Sequence, residues 1–130
     1  MVRRRFSCSL PVAYCQCPVL IMNHVTHNDR DVYTGMSCLV GHVDTSYHSL
    51  LNTFGEPKDG GPDGKTDAVW EVQFSEGTVA SIYNWKNGHN YCGLDGVPVH
   101  RIKHWNVGGY GVRALELVEL AIKTQTNKER

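Results

Sequence analysis

Long apolar runs are missing from this chain. None of its 130 residues belongs to a stretch of about 18 consecutive apolar side chains, so no membrane-spanning helix is expected. Net charge is missing as well: 13 Lys+Arg balance 13 Asp+Glu. A neutral chain has no global attraction for nucleic acid or for an anionic membrane. Nor do the cysteines form a regularly spaced set. There are five (Cys8, Cys15, Cys17, Cys38 and Cys92), an odd number without framework spacing, which reads as free thiols in a reducing compartment.

Familiar motifs are approached and missed. Gly64-Lys65-Thr66 has the end of a phosphate-binding loop, but Asp59 stands where the first glycine is needed, and the segment follows a helix pattern and opens a strand pattern. A calcium loop starting at Asp59 would place Gly61 and Trp70 at ligand positions, and neither side chain can coordinate. Cys15-x-Cys17 followed by His24 and His27 is one residue short at both pairs for a zinc finger. Arg3, Arg4 and Arg5 before a mildly apolar stretch imitate a signal peptide, but Pro11, Gln16 and Pro18 interrupt it and no small-x-small cleavage site follows. Residues 1–21 are therefore expected to be an unpacked extension, with Met22 opening the domain proper. Residues 22–124 are expected to form one domain, and 125–130 a polar tail.

What is present is a clear β-hairpin over residues 68–86. Trp70, Val72 and Phe74 alternate with Val69, Glu71 and Gln73, and Ala80, Ile82 and Asn84 alternate with Val79, Ser81, Tyr83 and Trp85. Ser75-Glu76-Gly77-Thr78 joins the runs, with Gly77 free to take a positive φ. Upstream, residues 33–43 alternate weakly and read as a strand. Tyr47, Leu50, Leu51 and Phe54 then line one helix face, with Ser46 as N-cap and Gly55 as the left-handed terminator before Pro57. Residues 56–66 read as a polar loop. Residues 99–107 alternate again and predict a strand with Val99, Arg101, Lys103, Trp105 and Val107 on one face. Leu115, Val118 and Ile122, widened by Ala114, Leu117 and Ala121, mark a helix over residues 112–123. This order predicts an α+β fold, a mainly antiparallel sheet of about four strands with two helices packed on one face.

Charge is uneven along the chain despite its zero sum. Residues 55–77 hold Glu56, Asp59, Asp63, Asp67, Glu71 and Glu76 against Lys58 and Lys65. Residues 86–104 hold Lys86, Arg101 and Lys103 against Asp95, with His89, His100 and His104. In the basic region the aromatic and cationic residues Tyr83, Trp85, Lys86, Arg101, Lys103 and Trp105 are the expected ligand-binding set. Aromatic rings stack on planar groups, and Lys and Arg hold phosphates. Gly108-Gly109 is an expected source of free N–H groups at the mouth of the last helix. Cys92 with His89, His100 or His104 is the alternative, enzymatic reading, although no family signature surrounds it. No cofactor and no metal site is expected.

Phe54-Gly55-Glu56-Pro57, Trp70-x-x-x-Phe74, the run from Gly77 to Lys86 (GTVASIYNWK) and Trp105-Asn106-Val107-Gly108-Gly109 together resemble a family of small proteins encoded by bacteriophages and other DNA viruses. The resemblance covers residues 34–122. It implies a non-enzymatic accessory protein acting in the host cytoplasm, an inhibitor or nucleotide sponge directed at a host defence process. The partner would be a host protein or a small nucleotide-like ligand; a homo-oligomer is compatible with this. A minor virion component is a further alternative.

Overall fold

Alternation in the sequence becomes alternation of burial. Ala68, Trp70, Val72 and Phe74 are buried, while Val69, Glu71 and Gln73 between them are half-buried on the other side of the strand. The computed structural model describes residues 23–61 and 63–129. Its strands are β1 (His24–Thr26), β2 (Cys38–Asp44), β3 (Lys58–Asp59), β4 (Ala68–Phe74), β5 (Val79–Tyr83) and β6 (His104–Gly109). Its α-helices are α1 (Tyr47–Phe54), α2 (His89–Cys92) and α3 (Val112–Lys128), with 3₁₀ turns at Gly93–Asp95 and Val99–Arg101. The fold is α+β. All strands join one antiparallel sheet in the order β1-β4-β5-β6-β2, with β3 also paired to β4.

The hairpin closes as its residues dictate. Thr78 O accepts from Phe74 N, Phe74 O accepts from Gly77 N, and Gly77 takes φ 99°, a conformation that only glycine adopts cheaply. Ser46 caps α1, its hydroxyl accepting from Ser49 N at 3.0 Å. Gly55 ends the helix at φ 83°, ψ −160°. That is not the left-handed helical geometry expected of it but a more extended one, still open only to glycine. The turn is placed by the sheet: Gly55 O accepts from Trp70 Nε1 at 2.7 Å, and Glu56 O accepts from Asn28 Nδ2 at 2.8 Å and pairs with His27 Nε2 at 2.9 Å.

One core lies between the inner face of the sheet and the two longer helices. Trp70, Val72, Phe74, Ala80, Ile82, Trp105 and Val107 come from the strands, Leu50 and Phe54 from α1, and Ala114, Leu117 and Val118 from α3. Trp70 and Trp105 meet edge to face at 5.4 Å, and both are fully buried. Gly109 lets α3 approach: a Cβ there would lie 2.5 Å from Ala114 Cβ.

Several expectations are corrected. The sheet has six strands, because β1 and β3 pair with β4; neither segment is long enough to show a period in sequence. Residues 33–37 are not strand. They end a strap, residues 27–37, that must cross from β1 at one edge of the sheet to β2 at the other. The strap runs over the outer face, tied by Thr34 Oγ1 to Glu71 Oε2 at 2.9 Å and by Arg30 Nη2 to Gln73 Oε1 at 3.0 Å. Residues 99–101 form a 3₁₀ turn, and the strand starts at His104. Helix α3 continues past Lys123 to Lys128, with Thr126 Oγ1 donating to Ile122 O and Glu129 accepting from Asn52 on α1. The expected extension at residues 1–21 lies outside the described residues. No helix among those described is long and apolar enough to cross a membrane.

Candidate functional site

Beyond Tyr83 the second hairpin strand leaves the ladder, and Asn84 decides where the chain goes next. Its side chain is 1% exposed. Its Oδ1 accepts from Asp67 N at 2.8 Å and Ala68 N at 3.1 Å; its Nδ2 donates to Asp67 Oδ1 and Asn87 Oδ1, both at 2.9 Å. Asp67 in turn accepts from Asn90 N through Oδ2, and Asn90 Nδ2 donates to Thr66 O. Gly88 packs so closely here that a Cβ would lie 2.1 Å from Asp67 Oδ1. Two loops, residues 63–67 and 84–97, are thus fastened to one buried amide.

On that base stands an exposed aromatic and cationic cluster. Trp85 is 45% exposed and Tyr91 52%. Lys86 Nζ lies 5.7 Å from the Trp85 ring centroid and 5.4 Å from that of Tyr91; Lys65 Nζ lies 5.7 Å from Trp85. Tyr83 meets Trp85 edge to face at 6.2 Å. Lys86 has φ 59°, a strained backbone for a residue with a side chain. Its N–H donates to Lys65 O, and its carbonyl accepts from Cys92 Sγ at 3.2 Å. These bonds hold the strained residue in place and aim its ammonium between two rings.

Two carboxylates of the acidic region are engaged by cations. Glu71 pairs with Lys58 at 2.7 Å, and Glu76 with Arg113 at 2.9 Å. The Arg113 guanidinium, followed by the Thr78 hydroxyl, holds the Glu76 carboxyl below its usual range, and the same pairing raises Arg113. Burial, then the charge of Glu56, raises the Tyr47 phenol. By contrast Lys65, Lys86, Arg101 and Lys103 have no ion pair among the described residues.

Of the residues expected from sequence, the structure brings Tyr83, Trp85 and Lys86 together. Arg101 and Lys103 are exposed on the segment entering β6, at the same end of the sheet, but make no hydrogen bond, ion pair or ring contact with Trp85. Trp105 is a correction: it faces the core at 0% exposure, with Nε1 donating to Thr45 O, because the strand register puts it beside Val43 and on the side of Val107. Gly108 and Gly109 lie inside β6, paired with Ser81 and Ala80 on one side and with Leu39 and Cys38 on the other; they do not open α3. Lys65 and Tyr91 were missed. No local pattern marks either; only the Asn84 network brings their loops to Trp85. Cys92 spends its thiol proton on a carbonyl, and among the described residues no group of three or more His, Cys, Asp or Glu is placed to hold a metal.

The fold and site together define an α+β protein with an exposed aromatic and cationic cluster fastened by hydrogen bonds to a buried asparagine. Comparison with protein-family models gave no match, and comparison with curated proteins gave none either.

Proposed function

We propose that this is a non-enzymatic binding protein, a viral accessory factor acting in the host cytoplasm, whose recognition element is the Trp85 cluster and whose ligand is a planar anion of nucleotide type. The observation that carries this reading is the position of Lys86 Nζ between the half-exposed rings of Trp85 and Tyr91, with no carboxylate paired to it. Aromatic rings exposed in this way stack on bases, and an ammonium beside them attracts phosphate. Anchoring the loops in advance lowers the ordering cost of binding.

Trp70 and Trp105 are fully buried, so of the three tryptophans only Trp85 is open to a ligand. Nucleotide titration is expected to quench its fluorescence, with calorimetry giving the affinity. Trp85→Ala should weaken binding by roughly 5- to 150-fold, the usual cost of losing one base-stacking ring. Lys86→Ala should weaken it and flatten its salt dependence. If mononucleotides, dinucleotides and cyclic dinucleotides all leave the emission and the melting temperature unchanged, the proposal fails.

A further inference from the structure

The helices cover one face of the sheet, and the strap covers only part of the other. Below the strap the strand register aligns three outward side chains: Tyr83 on β5 pairs with Asn106 on β6, and Asn106 pairs with His42 on β2. Strands lie about 4.8 Å apart, so Tyr83 and His42 stand roughly 10 Å apart with Asn106 between them. On one side Tyr83 continues into Trp85. On the other, the His42 ring stacks on His104 at 4.7 Å, and His104 Nδ1 is held by Asp44 Oδ1 at 2.6 Å. Asn106 is half-buried, and its amide makes no hydrogen bond among the described residues. Asn84, just past the end of β5, uses its whole bonding capacity. A half-buried amide with no protein partner among the described residues has both a donor and an acceptor to offer a ligand.

We propose that the outer face of the sheet at Tyr83, Asn106 and His42 is the base-reading half of the nucleotide site, with Asn106 forming a paired donor–acceptor contact to the edge of the base that stacks on Trp85, while the cations around Trp85 take the phosphate. This rests on the nucleotide reading above and deepens it. The chemistry is that of a planar heterocycle with an adjacent donor and acceptor, stacked on an aromatic ring and read at its edge by one carboxamide. Charge agrees with the placement: Lys86 lies three residues beyond Tyr83, and Lys103 three residues before Asn106, both without an ion pair among the described residues.

The test is calorimetry of the full chain with the four common nucleoside monophosphates and with ribose 5-phosphate, which lacks a base. The unaltered protein should bind one base better than the others by about tenfold or more, and ribose 5-phosphate more weakly than any nucleotide. Asn106→Ala should erase the preference while leaving salt-dependent binding. Asn106→Asp, which replaces the donor by a second acceptor, should change which base is preferred. Circular dichroism confirms that each variant is folded, and His42→Ala, removing a flank at an exposed edge position, gives a second reading through weaker binding of nucleotides relative to ribose 5-phosphate. Binding that both Asn106 variants leave with the original preference refutes the inference and spares the Trp85 cluster. Equal affinity for ribose 5-phosphate and nucleotides refutes base reading altogether. Failure of every ligand to bind removes both proposals.

Discussion

Replacing Asn84 by alanine takes four hydrogen bonds from a side chain that is 1% exposed. Two of them satisfy backbone N–H groups, those of Asp67 and Ala68. The Ala68 group is buried, and an orphaned buried donor costs about 1–3 kcal/mol. The Asp67 group is less deeply placed, and water can take over part of that bond. Adding the lost anchorage of Asp67 and Asn87, the change should destabilise the protein by about 2–4 kcal/mol. For a domain of this size about 1 kcal/mol corresponds to roughly 4 °C, so the melting temperature should fall by roughly 8–16 °C. Thermal and urea unfolding followed by circular dichroism measure this. Asn87→Ala removes one of the four bonds and is the control, expected to cost about 1 kcal/mol. Trp85 gives an independent reading: its emission should shift to the red and its anisotropy fall in Asn84→Ala, because the loop it opens has lost its anchor. A loss below about 1 kcal/mol, with Trp85 emission unchanged, would show that the loops hold without the buried amide.

Two further outcomes follow from the packing and the charges. Gly109→Ala should cost about 1–3 kcal/mol, since its Cβ would lie 2.5 Å from Ala114 Cβ and α3 must move away; urea unfolding measures it, and an unchanged midpoint would mean the helix has room. The Arg113 guanidinium, by its hydrogen bond, holds the folded-state Glu76 carboxyl below the ordinary glutamate range, so the stability it contributes is present above that range and lost as pH falls through the lowered one. Glu76→Gln should therefore melt below the unaltered protein at neutral pH, and the gap should close in acid; a gap that stays constant down the acid range would reject the linkage.

The local chemistry of the chain was enough for the hairpin, for α1 from its cap to its terminating glycine, and for the helical face of α3. In each, a period of two or of 3.6 coincides with turn or cap residues, and each of those signals acts within a few residues. Tyr83, Trp85 and Lys86 were legible for the same reason: they are one strand end and its exit. Trp105 was misplaced because alternation tells which residues share a face, not which face is covered. The pairing of Val43 with Trp105 and of Val107 with Ile82 settled that, and both depend on strands far apart in sequence.

Composition and periodicity alone determined the fold class, the hairpin that anchors the core and the end of the sheet where the exposed aromatic residues lie. Only the tertiary structure decided the rest. It made β1 and β3 strands by giving them β4 as a partner. It sent residues 27–37 across the open face because their two strands lie on opposite edges. It spent the carboxylates of Glu71 and Glu76 on Lys58 and Arg113 while leaving Lys65 and Lys86 without an ion pair among the described residues, beside the Trp85 ring. It also set Asn84 in the interior and left Asn106 half-buried on β6. The two asparagines are the same residue type, one just past the end of β5 and one on β6, and the surroundings of each side chain separate an anchor from a candidate contact.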